Sequence, residues 1–160
     1  MKSLSFAHNG KSLEVHTQDA VLKALLAEHV PVIMACGGRG MCATCHVYIE
    51  RGPIDGLSPR TKREERTLGL IAEATPQSRL ACQAQVLKDG VVVRLPEALY
   101  IQKAADLTDL IGRRAESPVR HPVDGRVLVR GGHIITRSTV EKLSHVESDL
   151  QTLLTSSKSL

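Results

Sequence analysis

The sequence predicts an α+β fold for the first 97 of its 160 residues. Segments with apolar residues at every second position indicate strands, and segments with apolar residues at helical spacing indicate helices. These segments follow one another in the order ββαβαββ. The remaining residues add a helical linker, a short β-hairpin and a terminal helix, so we expect two parts, 1–97 and 98–160.

The chain opens with a predicted hairpin followed by a helix. Residues 3–9 and 11–17 alternate apolar and polar positions, and the Asn-Gly pair at 9–10 is typical of a tight hairpin turn. We expect Asp19 to cap the first helix, which ends before Pro31 because proline cannot continue it.

The next elements complete the predicted sheet. Residues 46–50 alternate as a third strand, and a second helix is expected to begin with Ser58 as its cap and Pro59 at its first position. Residues 78–87 and 90–96 form two more predicted strands. The order ββαβαββ favours a β-grasp (ubiquitin-like) sheet.

Composition and charge exclude several classes of function. Only 2% of residues are aromatic, so the stacking platforms that bind single-stranded nucleic acid are almost absent. The net charge of +4 is divided evenly between 1–97 and 98–160, and neither part is a basic tail. The sequence has no apolar run of membrane-spanning length and no apolar leader segment. We therefore expect a soluble, cytoplasmic protein with no nucleic acid partner and no membrane span.

Four cysteines are the most informative residues: Cys36, Cys42 and Cys45 lie within ten positions, and Cys82 stands apart. Disulfides are disfavoured by the expected reducing compartment. A structural zinc site generally uses two short ligand pairs, and only Cys42 and Cys45 form one. Buried or redox-active thiols without a metal are a further alternative. An iron-sulfur cluster is the interpretation that we favour.

The loop after Cys36 supports the cluster. Gly37, Gly38 and Gly40 allow a backbone to wrap tightly round an inorganic core, in conformations that a Cβ atom opposes. Amides in such a loop can donate hydrogen bonds to the sulfur atoms and stabilise the negative cluster. The loop lacks the signatures of a phosphate-binding turn.

The spacing Cys36-x5-Cys42-x2-Cys45, with Cys82 farther along, resembles the ligand set of the 2Fe-2S ferredoxins. The plant-type spacing has one loop residue fewer, and the string CATCHVYI is similar to the adrenodoxin and putidaredoxin branch. The resemblance covers about residues 1–97. It implies that Cys36 and Cys42 hold the outer iron and that Cys45 and Cys82 hold the inner iron of a 2Fe-2S cluster.

The same resemblance implies a one-electron carrier and not an enzyme, because a cluster with four protein ligands has no open position for a substrate. Its partners would be a reductase or another electron donor, and an acceptor enzyme. A different class of function is a redox-sensing regulatory module whose cluster state controls partner binding through residues 98–160. His46 follows the third ligand, and we expect it to tie the loop to the domain rather than to bind iron.

The predicted second helix differs from the acidic docking helix of the resembled branch. Its charged residues are mixed or basic, which would favour a partner with an acidic or neutral docking surface. Arg39, inside the loop, should raise the reduction potential. The charged residues of the helix are Arg60, Lys62, Arg63 and Arg66 against Glu64 and Glu65.

Residues 98–160 exceed the length that the resembled domain needs. We expect a helical segment after residue 96, a hairpin with strands around Val127 and Ile134, and a terminal helix opened by a capping box of Ser138 and Glu141. The apolar stripe of that helix could pack on the first domain or form a homodimer, or the region could dock a partner. The stripe comprises Val140, Leu143, Val146, Leu150 and Leu153.

Overall fold

The computed structural model describes residues 1–156, and its first part is a five-stranded sheet with two helices. The strands lie in the order β2-β1-β5-β3-β4, with β1 parallel to β5 and the other pairs antiparallel. This arrangement confirms the predicted β-grasp fold. The elements are β1 (Lys2–Phe6), β2 (Ser12–Val15), α1 (Val21–Ala27), β3 (His46–Arg51), α2 (Lys62–Leu68), β4 (Ser78–Leu80) and β5 (Val91–Arg94).

One core joins the sheet to α1. Leu4 and Phe6 on β1 are almost completely buried, as the alternation predicted, and they pack with Val21 and Leu25 of α1 and Val93 of β5. Burial of side chains of this size contributes about 1.5–3 kcal/mol each. The loop between α1 and β3 emerges from one end of this core.

Both predicted helix starts in this part are wrong. Asp19 accepts a hydrogen bond from the His16 amide and pairs with Lys23, while the first amides of α1 donate to the carbonyls of Ala84 and Ala81. A distant turn therefore satisfies the helix terminus and no side-chain cap is required.

The second helix begins three residues later than predicted, at Lys62. Thr61 is its cap and accepts a hydrogen bond from the Glu64 amide. Ser58 instead exchanges hydrogen bonds with Gln85, which holds residue 58 in an extended segment.

The second part has its own sheet and its own core. The strands β6 (Leu99–Tyr100), β7 (Val119–Arg120) and β8 (Val127–Val129) pair in that order, and a 3₁₀ helix (Ala104–Leu110) precedes β7. The helices α3 (Arg137–Lys142) and α4 (His145–Ser156) complete the described chain. The buried residues of this core are Ile101, Leu107, Ala115, Val119, Val129, Ile135, Leu143 and Val146.

Several predictions for this part are wrong. The segment after residue 96 contains β6 and a 3₁₀ helix, and β8 pairs with β7 rather than with a strand at Ile134, which only bridges Arg114. Thr136, not Ser138, caps α3. The terminal helix is broken after α3, since Leu143 ends that helix and α4 begins at residue 145.

The predicted apolar stripe is covered by its own chain. Leu143, Val146 and Leu150 are buried, whereas Val140 and Leu153 are half-buried. Most of the stripe therefore contributes to the second part's interior. No helix within residues 1–156 is long and apolar enough to cross a bilayer.

Candidate metal centre

The four cysteine thiols converge at one end of the first sheet. Cys36, Cys42 and Cys45 belong to the loop that connects α1 to β3, and Cys82 lies in a turn after β4, where the sequence predicted a continuous strand. That turn is closed by hydrogen bonds from the amides of residues 83 and 84 to the Leu80 carbonyl. All four are free thiols, and Cys82 alone among them is more than slightly exposed.

The sulfur atoms are grouped in two pairs. The Sγ atoms of Cys45 and Cys82 are 3.5 Å apart, and the Cys36 and Cys42 thiols share a hydrogen bond. That bond lowers the pKa of Cys36 to about 5 and raises the pKa of Cys42. The bond from Cys45 likewise lowers the pKa of Cys82 to about 7 and raises the pKa of Cys45. Each pair thus readily yields thiolate, which is the form that binds metal.

This donor set fits a cluster of two irons. Each iron of a 2Fe-2S cluster takes two protein thiolates, and the four cysteines form two pairs. Backbone amides of Arg39 and Met41 bond the Cys36 sulfur, and the Gly40 amide bonds the Cys82 sulfur. Such donors stabilise the negative charge of thiolate ligands. Four thiolates could also hold zinc, so the donors alone leave the metal open.

Side chains other than the four cysteines hold the loop in place. The Gln83 amide Nε2 lies 3.4 Å from the Cys82 sulfur and 3.3 Å from the Gly38 carbonyl oxygen, to which it donates. The Thr67 hydroxyl of α2 donates to the Gly40 carbonyl at 2.6 Å. Sequence reasoning missed both residues, and the position of Gln83 directly after Cys82 was the one available signal.

His46, which follows Cys45, bonds a side chain of the neighbouring strand. Its Nε2 is 2.7 Å from the Ser78 hydroxyl, which joins the start of β3 to β4. Burial lowers the pKa of His46 to about 4, so the ring is neutral at pH 7. The histidine therefore fixes the strand that carries the loop.

The helix α2 is attached to the sheet by a buried ion pair. The Glu64 carboxylate accepts hydrogen bonds from Arg79 Nε at 2.7 Å, Arg79 Nη2 at 3.1 Å and the Leu80 amide at 2.9 Å. Glu64 is completely buried. Because Leu80 directly precedes the turn that carries Cys82, this pair links α2 to the fourth thiol.

The glycines of the loop have left-handed backbone conformations, with φ of +71° at Gly37 and +73° at Gly40. An alanine in this conformation costs about 1–2 kcal/mol. At Gly37 an added Cβ would meet no atom within 4 Å, whereas at Gly40 it would lie 2.8 Å from Gln83 Cδ.

We therefore expect Gly40→Ala to weaken the loop more than Gly37→Ala, because only the former also displaces Gln83. The measurement is the half-life of the visible absorbance of the purified protein at raised temperature. The Gly37→Ala variant is the matched control, since it carries the same backbone strain. Equal half-lives for the two variants would contradict a restraining contact between Gly40 and Gln83.

Comparison with known proteins identifies the group that suits these thiols. Residues 6–87 match the family described as the 2Fe-2S iron-sulfur cluster binding domain. Ferredoxin CarAc of a Sphingomonas species is 38% identical over 89 residues, which are 54% of this chain and 82% of that protein. Rhodocoxin of Rhodococcus erythropolis is 36% identical over 104 residues, which are 61% of this chain and 97% of that protein.

Solved structures agree with this match. The chain is similar to putidaredoxin in its covalent complex with putidaredoxin reductase, with a TM-score of 0.51 and 30% identity over 59% of this chain and 98% of that one. Residues 98–160 lie outside the family match.

Proposed function

Because this chain belongs to the family of 2Fe-2S iron-sulfur cluster binding domains, we propose that Cys36, Cys42, Cys45 and Cys82 hold its cluster. The observation that carries this proposal is the convergence of two thiol pairs at one end of the sheet. The protein is an electron carrier and not an enzyme. When bound, the cluster supplies reversible one-electron chemistry.

The chain's own residues bind and insulate that group. Cys36 and Cys42 would hold one iron, and Cys45 and Cys82 the other. Amides of the loop and the Gln83 side chain donate hydrogen bonds to the sulfur atoms. Burial of three of the four cysteines keeps water from most of the site.

The test is anaerobic purification, followed by visible absorption and low-temperature EPR spectra before and after dithionite reduction, with assays of iron and acid-labile sulfide. We expect charge-transfer bands, two irons and two sulfides per chain, and a spin-half signal on reduction. A colourless protein with stoichiometric zinc, after expression with ample iron, would contradict the proposal.

The face beside the loop suits an acidic redox partner. Arg63 Nη1 donates to the Arg39 carbonyl at 3.3 Å, which places the exposed face of α2 next to the loop. Glu64 is buried and Arg60 bonds the carbonyls of Pro76 and Ser78, so neither contributes fully to this surface. The exposed charges are Arg39, Lys62, Arg63 and Arg66 against Glu65. The solved complex of putidaredoxin with its reductase supports a reductase as one protein partner.

Reversing two charges on this face should slow electron transfer to an anionic oxidant. We expect Arg63→Glu with Arg66→Glu to lower the rate of oxidation by ferricyanide about tenfold at low salt, with the difference shrinking as salt increases. The measurement is stopped-flow absorbance of the reduced protein. The matched control is Arg51→Glu with Lys88→Glu, the same change of net charge at exposed positions outside α2. Equal slowing in the two double variants would contradict a docking role for α2.

We divide the chain into 1–97 and 98–160, since the first sheet ends at Arg94 and the second begins at Leu99. The last four residues lie outside the described part of the chain. A homodimer through the C-terminal helix would have to use Val140 and Leu153, because the stripe's other members are covered.

A thiol-based site is consistent with the cytoplasm, where thiols stay reduced. None of the comparisons supports the redox-sensing alternative.

A further inference from the structure

The second part of the chain is attached to one flank of the cysteine loop. The Pro122 carbonyl accepts a hydrogen bond from the Ala43 amide at 2.8 Å, and Ala43 lies between two of the cysteines. The Asp124 carbonyl accepts from the Ala72 amide at 2.9 Å. Pro122 is buried. The connection between β7 and β8 therefore lies directly on the loop.

Side chains and close packing reinforce this attachment. Arg120 on β7 is buried and pairs with Glu73 at 2.6 Å. Gly125 has a left-handed backbone conformation, and a Cβ there would lie 3.5 Å from the Ala43 Cβ and 3.6 Å from Ile71 Cγ2. The backbone at Gly125 thus follows the surface of the first part closely.

A histidine connects the attached segment to α4. His121 Nδ1 accepts a hydrogen bond from the Val123 amide at 3.1 Å, so its Nε2 carries the proton and donates to Asp149 at 2.9 Å. Arg126 pairs with Asp124 and also approaches Asp149 at 3.5 Å. The position of α4 is therefore linked to the segment that lies on the loop.

The end of α4 faces the Cys36 side of the loop. Gln151, Leu154 and Thr155 form one wall of a recess of about 490 Å³, and residues 34–37 and Arg39 form the other. A recess of this size holds a small molecule but not a protein surface. A protein surface that docks on this side would therefore have to accommodate the end of α4.

The edge of the loop at Cys82 lacks such a cover among the described residues. Cys82 and Gln83 are half-buried there. Gly40 joins this edge to α2, because it lies against Gln83 and accepts the hydrogen bond of Thr67. The edge is therefore continuous with the basic face of α2.

We propose that residues 98–156 shield the Cys36 flank of the loop, so that protein redox partners with acidic surfaces approach the cluster across the Cys82 and Gln83 edge. This inference rests on the proposed function. In each encounter one electron leaves the reduced cluster and enters the partner, and no bond forms or breaks. Docking on the shielded flank would have to accommodate the end of α4, a helix about 10 Å thick with its side chains.

The test uses two protein oxidants of opposite charge, the acidic haem domain of cytochrome b5 and the basic cytochrome c. In each case one electron converts ferric haem to ferrous haem. A negative charge at the docking edge slows the acidic oxidant and accelerates the basic one, whereas a change in reduction potential moves both rates in the same direction. The ratio of the two rates therefore reports the docking site.

Two matched variants of the full chain place the same charge on either flank, Gln83→Glu on the open edge and Gln151→Glu on α4. We expect the ratio of acidic to basic rate to fall about fivefold in Gln83→Glu and to stay unchanged in Gln151→Glu. Should Gln83→Glu lose iron, Arg63→Gln makes the same unit change beside the same edge.

The shielding role would be overturned if the ratio of acidic to basic rate fell equally in Gln151→Glu. It would also be overturned if the ratio fell in neither Gln83→Glu nor Arg63→Gln. Iron, sulfide and EPR assays on each variant come first. Absence of the cluster from the unaltered protein would refute the proposed function, whereas an intact cluster with the wrong pattern of rates refutes only the shield.

Discussion

Replacing Cys82 with serine should abolish the stable 2Fe-2S centre. The Cys82 sulfur lies 3.5 Å from that of Cys45, and serine oxygen is a poor substitute for thiolate toward iron in such clusters. The substitution also removes the sulfur that Gln83 and the Gly40 amide bond. We expect iron and acid-labile sulfide to fall to a small fraction of the unaltered level, with loss of the EPR signal.

The control for this variant is Gln85→Ser, which introduces the same hydroxyl group three residues later at an exposed position. It should keep two irons and an unchanged spectrum. If Cys82→Ser also kept the spectrum and the potential of the unaltered protein, Cys82 would not be a ligand, and the pairing of the thiols proposed here would be wrong.

Replacing Glu64 with glutamine should destabilise the whole first part of the protein. Glu64 is completely buried, and without its charge Arg79 would keep a buried guanidinium group with no anion. Removing one partner of a buried ion pair costs about 3–5 kcal/mol. For a chain of this length, that corresponds to a fall in melting temperature of about 6–20 °C.

Glu65→Gln is the matched control, since Glu65 is the exposed neighbour on the same helix. It should change stability by less than about 0.5 kcal/mol. Thermal scans of both proteins, monitored by visible absorbance, distinguish the two outcomes. The same melting temperature for both variants would show that the pair with Arg79 contributes little to stability.

Elements with local patterns were predictable from the sequence. The alternation around the Asn9-Gly10 turn and in residues 46–50 depends on neighbours only a few positions away, and the hairpin and β3 formed as expected. The cysteine spacing predicted the convergence of the thiols for the same reason, since three of them share one loop. Only the fourth, Cys82, required the fold to bring it there.

Features that depend on distant contacts were not predictable. Ala84 and Ala81 provide the acceptors for the first amides of α1, and no pattern near Asp19 indicates them. Glu64 stands among charged residues that suggest an exposed helix, and only its contact with Arg79 reveals that it is buried. The bond between Ala43 and Pro122 joins residues 79 positions apart, and the hairpin and helix predicted for the second part gave no sign of this contact with the loop.

The order of strands in the first sheet has a consequence for synthesis of the chain. The strand β5 lies between β1 and β3, and it follows all four cysteines in the sequence. The middle of the sheet therefore closes only after every thiol has left the ribosome. Contacts between β1 and β5 span almost the whole first part, and such long-range pairing slows folding. Until residues 91–94 pair into the sheet, the newly made thiols are therefore exposed to oxidants and stray metal ions.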